Sequence, residues 1–264
     1  MIHSQKYLIH TKTNILVLQD EKRRLVTGVV TFAIITAVLW LVKGLELAGG
    51  FSFGTLGILP LQARGLPGII FSPLIHADLA HLAANSPPFF LLGAALVYYY
   101  PKEALKIFIQ LWLITGLWVW LFARGNSFHV GASGVVYALA SFHFTNGLIK
   151  REPRLMAFGM LVIFLYGSMI WGFFPDFFPK KNISWESHLM GAVAGFVMAL
   201  YYRKSGPQPK QYDWEDEEDD AEASPTDIPE DNTPGASALT APEKEIQINY
   251  DYSPEKGLCR NDQE

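Results

Sequence analysis

The chain has 264 residues, half of them apolar, and its formal charge of −4 averages two unlike parts. Residues 1–204 carry 17 Lys/Arg against 8 Asp/Glu, whereas residues 205–264 carry 4 against 17. Long apolar runs in the first part and an acidic run in the second exclude a single soluble globule, and one cysteine, Cys259, excludes an intramolecular disulfide or a cysteine-based zinc cluster.

A spanning helix needs about 20 mostly apolar residues to cross roughly 30 Å of hydrocarbon. Six segments meet that need. Leu25–Val42 follows Lys22-Arg23-Arg24; it starts too late for a signal peptide and lacks a small-residue cleavage site, so it reads as an anchor. The next are His81–Tyr100, Ala104–Ala123, Gly131–Ile149, Leu155–Phe174 and Ser187–Tyr202. Between the first two lies a loop, 48–75, rich in Gly and Pro yet apolar at Ile58-Leu59 and Ile69-Ile70-Phe71, which argues that it lies in the interface or against the bundle. Pro87-Pro88, just after Asn85, predicts a bend in the second span. Beyond Lys204 the run Trp214-Glu215-Asp216-Glu217-Glu218-Asp219-Asp220 and the Ser, Thr, Pro and Ala that follow cannot bury a core. The expected organisation is an N-terminal cytoplasmic segment (1–24), an all-α bundle of six transmembrane helices (25–204) and a disordered acidic cytoplasmic tail (205–264).

Loop cations set the orientation. Lys22, Arg23, Arg24, Lys102, Lys106, Lys150, Arg151, Arg154, Arg203 and Lys204 fall on one side of a six-span arrangement, and Lys43, Arg64, Arg124, Lys180 and Lys181 on the other. That excess places both termini in the cytoplasm. Spans two, four and six then all enter from the outer side, and each carries polar residues near its start. Polar groups at membrane depth are functional candidates. Counted back from the cationic end of each span at about 1.5 Å per residue, Ser133 lies roughly 25 Å from Lys150, His188 roughly 22 Å from Arg203 and Asn85 roughly 25 Å from Lys102. A Ser, a His and an Asn thus share one level a little below the outer surface, as a hydrolytic site requires.

In that reading Ser133 is the nucleophile and His188 the base that takes its proton and returns it to the leaving amine. Asn85, His81 one turn away, and the Ser133 backbone N–H at a helix start supply donors for the oxyanion. Gly131 and Gly134 keep the approach clear of side chains; Tyr137, at i+4 from Ser133, shares its face and could pack against His188; Gly191 and Gly195 give the sixth span a smooth stripe for close approach to the fourth. His143, ten residues past Ser133, is too deep to take part and reads as structural, as does His76. His129 reads as loop polarity, and Trp112, Trp118 and Trp120 as lipid-facing or packing residues.

These residues resemble the rhomboid intramembrane serine proteases. The family's G-x-S-G nucleophile motif is matched by Gly131-Ala132-Ser133-Gly134, its histidine helix by His188-x-x-Gly191-x-x-x-Gly195, and its H-x-x-x-N by His81…Asn85 with His76 upstream. The likeness covers roughly residues 50–204. It implies a serine endopeptidase with a Ser–His dyad and no acidic third member, acting on single-pass transmembrane segments that enter laterally past the fifth helix. It implies no metal or organic cofactor and no nucleic-acid partner, in a multi-pass protein of the bacterial cell membrane. The rival reading is a catalytically silent rhomboid-like protein that binds membrane clients.

Overall fold

The computed structural model describes residues 2–125, 127–165 and 184–208. The chain divides into one unit of Met1–Gln211 and a second of Tyr212–Glu264, the latter wholly outside the described residues. The outer part of the expected fifth span, the Lys180-Lys181 loop and the acidic tail from 209 onward also lie outside them.

The described residues are helical, without a strand; a single isolated bridge pairs Ile58 with His129. In chain order the α-helices are α1 (Ile2–Gly49), the short α2 (Gly68–Phe71), α3 (Leu79–Tyr99), α4 (Ala104–Phe122), α5 (Ser133–Lys150), α6 (Pro153–Leu165) and α7 (Trp185–Tyr201). Among the described residues three stretches are long and apolar enough to cross a membrane: Ile15–Gly49, Leu79–Tyr99 and Ala104–Phe122. The first helix is far longer than its apolar stretch. Nothing between residues 2 and 27 is Gly or Pro, and Asp20 pairs with Arg23 at 2.8 Å and Arg24 at 2.5 Å, the i+3 and i+4 spacing that supports a helix. Asp78 caps α3 by accepting from the His81 N–H at 2.7 Å, and Ser184 caps α7 by accepting from the Ser187 N–H. Despite Pro87 and Pro88, α3 is helical without interruption from Leu79 to Tyr99.

At the centre of the bundle stands α5, against α3, α4, α6 and α7, and it is buried along most of its length. Its partnership with α7 is the most extensive among the described helices. Glycines explain why. A Cβ at Gly191 would fall onto the Gly134 carbonyl, and one at Gly195 onto the Ala138 carbonyl, so the two backbones touch directly. Outward faces stay apolar, with Leu105, Phe122 and Tyr201 largely exposed, as expected where lipid is the solvent.

Two cations counted from the sequence as loop charges are buried instead. Lys43 is paired with Glu46 at 3.0 Å, and Lys150 lies under the Tyr100 ring with its amine donating to the Tyr100 hydroxyl and the Ser205 carbonyl. Residues 50–77 pack against the helices: Ile58, Leu59 and Ile75 are buried, and the Trp112 and Trp120 indoles donate to the carbonyls of Ile70 and Gln62, each at 3.0 Å.

The seam gives the first prediction. Gly191→Val forces a branched side chain against the Gly134 carbonyl, an overpacking of about 1–3 kcal/mol or more. The melting temperature of purified protein should fall by about 5 °C or more, whereas Val193→Leu on the exposed side of α7 should leave it within about 1 °C.

Candidate active site

Ser133 opens α5. The turn before it depends on Gly131, whose φ of +112° disfavours any L side chain; a Cβ there would also stand 2.5 Å from the His81 ring. The turn's two backbone donors are both taken by the segment at 72–76. Gly131 N–H donates to the Ser72 carbonyl at 2.9 Å, and Ala132 N–H to His76 Nε2 at 3.3 Å. The hydroxyl-bearing residue is therefore held from behind by a loop remote in sequence.

His188 lies in the first turn of α7 and is buried. Its ring stacks on that of Tyr137, with centroids 4.2 Å apart and planes 9° from parallel. Because Tyr137 stands one turn below Ser133 on α5, the stack sets the His188 ring beside the start of that helix. Across the site, on α3, the Asn85 side chain is buried and its Nδ2 has no hydrogen-bond partner among the described residues. His81 stands one turn earlier, its ring edge-on to His76 with centroids 5.2 Å apart. A cavity of about 20 Å³, bounded by Thr115, His129, Gly131, Gly134 and Ser187, is large enough for one water.

Several contacts were not legible from the sequence. His129 bonds Ser184 Oγ at 2.5 Å, and that hydroxyl meets Ser187 Oγ at 2.6 Å. Arg124 Nε donates to Glu186 at 2.6 Å, and its guanidinium lies over the Trp185 ring at 5.2 Å. Together these tie the segment before Ser133 to the start of the His188 helix. The residues carry no motif, so only the fold could assemble them. His143 is fully buried, its Nε2 bonded to the Leu92 carbonyl at 3.0 Å, away from Ser133. His76, which reads as structural from sequence, bonds the turn that carries Ser133.

The His76 imidazole lies between helices, outside the spanning segments. Burial, with the neighbouring His81 ring adding to it, holds its pKa well below the usual histidine range, at about 4. The ring is thus neutral near pH 7, and the Ala132 N–H selects the tautomer with its proton on Nδ1 and its lone pair on Nε2.

The fold and these contacts define a helical integral membrane protein with a polar site at one end of its central helix. The chain belongs to the rhomboid family: the Rhomboid domain model matches residues 63–205. It is 35% identical over 198 residues to an uncharacterized protein of Mycobacterium tuberculosis, covering 73% of this chain and 82% of that protein. A Mycobacterium leprae relative is 31% identical over 209 residues (77% and 80%). Bacillus subtilis YdcA, whose name assigns it provisionally as a rhomboid protease, is 28% identical over 189 residues (65% and 87%).

A pH prediction follows from His76. Its pKa is lower folded than unfolded, so between about pH 6.5 and 4 the unfolded chain binds the extra proton and stability falls as pH falls. His76→Asn should flatten the loss of melting temperature over that interval relative to the native protein. A slope unchanged by the substitution would contradict the buried neutral assignment.

Proposed function

We propose that the protein is an intramembrane serine endopeptidase in which Ser133 and His188 form the catalytic dyad. The observation that carries the reading is the Tyr137–His188 stack, which sets the imidazole of α7 beside the helix start that bears Ser133. His188 takes the Oγ proton as Ser133 attacks the scissile carbonyl, and a tetrahedral intermediate forms. Its oxyanion is received by the Ser133 N–H and by Asn85 Nδ2, which has no other partner among the described residues, with His81 as a further donor. His188 then protonates the leaving amine and the acyl-enzyme remains. A water then attacks the acyl carbonyl carbon as His188 takes its proton; the acyl–Oγ bond breaks, His188 returns the proton to Ser133 Oγ, and the acid leaves. No part of this sequence of steps calls on a metal or organic cofactor.

The substrates are single-pass transmembrane proteins. Six spans carry the domain, with both termini in the cytoplasm of a bacterial cell and the site near the outer face; the cationic loops support that orientation. Residues 205–264, with 4 Lys/Arg against 17 Asp/Glu, are a cytoplasmic acidic appendage.

Ser133→Ala and His188→Ala should each abolish cleavage of a labelled single-pass transmembrane segment in liposomes while leaving the melting temperature within a few degrees. A fluorophosphonate should label native protein at Ser133 alone. Asn85→Ala should lower kcat by about 10–10³-fold with little change in KM, since one oxyanion donor is lost. Near-normal cleavage by Ser133→Ala overturns the assignment.

Topology is checked separately. On a Cys259→Ser background, Ser127→Cys should react with an impermeant thiol reagent from outside intact cells, and Lys102→Cys should not. The reverse pattern contradicts the orientation.

A further inference from the structure

We infer that Lys43, acting with Glu46, is a positioning residue for the turn that bears Ser133; this rests on the reading of Ser133 as nucleophile. Both side chains are buried near the end of α1, and both are fully engaged. The Lys43 ammonium has three protons and three acceptors: Glu46 Oε2 at 3.0 Å, the His76 carbonyl at 2.9 Å and the Ala77 carbonyl at 3.1 Å. Glu46 turns its other oxygen to the Phe53 N–H at 2.6 Å and the Ser52 hydroxyl at 3.3 Å. One turn of α1 therefore grips both ends of the segment that runs from 50 to 77.

The gripped end leads to the site. His76, whose carbonyl Lys43 holds, is the residue whose Nε2 accepts the Ala132 N–H. Ala132 immediately precedes Ser133. The tilt of the 132–133 peptide decides where the Ser133 N–H points and how its Oγ is presented to His188, and a donor misplaced by about 1 Å can cost a large part of the rate. A parallel tie runs from Trp40, one turn earlier on α1, to the Ser86 hydroxyl at 2.9 Å, next to Asn85.

Stability alone is a weak account of such a pair. Removing an ammonium and a carboxylate from water carries a desolvation penalty that their attraction only partly repays, and apolar residues of similar volume often pack as well. What the pair adds over an apolar filling is direction: it fixes two carbonyls at the base of α3 and, through His76, the turn before α5.

The test uses the full chain, with both charges removed so that no lone charge is left buried. Lys43→Met/Glu46→Gln should slow fluorophosphonate labelling of Ser133 at least tenfold, measured on the folded fraction from size exclusion. Hydrogen exchange should quicken at least tenfold in the 129–134 segment and stay unchanged along the α5–α7 seam. In a His76→Ala background the same double change should slow labelling by less than a further twofold, because the path is already cut. Labelling within twofold of native protein, unaltered exchange at 129–134, or multiplicative losses in the two backgrounds overturns the inference. So does failure to fold, which would make the pair an element of the fold alone. If native protein itself is not labelled at Ser133, the proposed function fails first and takes the catalytic consequence with it; normal labelling of native protein and of the variant overturns the positioning role alone.

Discussion

Direct contact of two backbones, α5 against α7, is the constraint on which the rest of the structure depends. In lipid there is no hydrophobic drive to bring helices together, so dispersion contacts and small residues must do it. Gly191 meets the Gly134 carbonyl and Gly195 the Ala138 carbonyl. That proximity sets His188 on one helix within stacking distance of Tyr137 on the other. Side chains of ordinary size along this seam would hold the helices apart and leave the imidazole remote from Ser133.

A second layer of order comes from loops rather than helices. Residues 50–77 are a chain of short helical turns, including α2, whose backbone hydrogen bonds with one another are all local, so contacts from outside must fix how the segment lies on the helices. Here the support comes from Trp112, Trp120, Lys43 and Glu46, and from the Ile58–His129 bridge. In return the loop holds the turn before Ser133 through Ser72 and His76. Buried histidines thus do different work at different depths: His143 satisfies a carbonyl inside the bundle, whereas His76 links two chain segments at its edge.

Much of this was legible in the sequence, because apolar runs and short motifs are local signals. Expected spans His81–Tyr100 and Ala104–Ala123 correspond to helices Leu79–Tyr99 and Ala104–Phe122, and the motif-based resemblance to rhomboid proteases agrees with membership of that family. Other features were not local. The first helix outruns its apolar stretch because hydropathy reports burial in lipid, whereas helix continuation needs only the absence of breakers. Lys43 and Lys150 read as loop cations since a sequence does not reveal that a carboxylate, a tyrosine or free carbonyls await them. Among the candidate site residues, spacing shows a common level but not what each touches. The buried Asn85 Nδ2, without a partner among the described residues, and the His129–Ser184–Ser187 chain exist only once α3, the loop before α5 and the start of α7 have met.

The central claim is that Ser133, activated by His188, attacks carbonyl carbon at the start of α5. It is tested most directly by a crystal structure of the protein after reaction with a small phosphonofluoridate. The account predicts phosphorus bonded to Ser133 Oγ, with the phosphoryl oxygen facing the Ser133 N–H and the Asn85 amide and His188 within hydrogen-bond reach of the adduct. An adduct on another residue, or on Ser133 with its phosphoryl oxygen turned away from Asn85 and His188 out of reach, would contradict it.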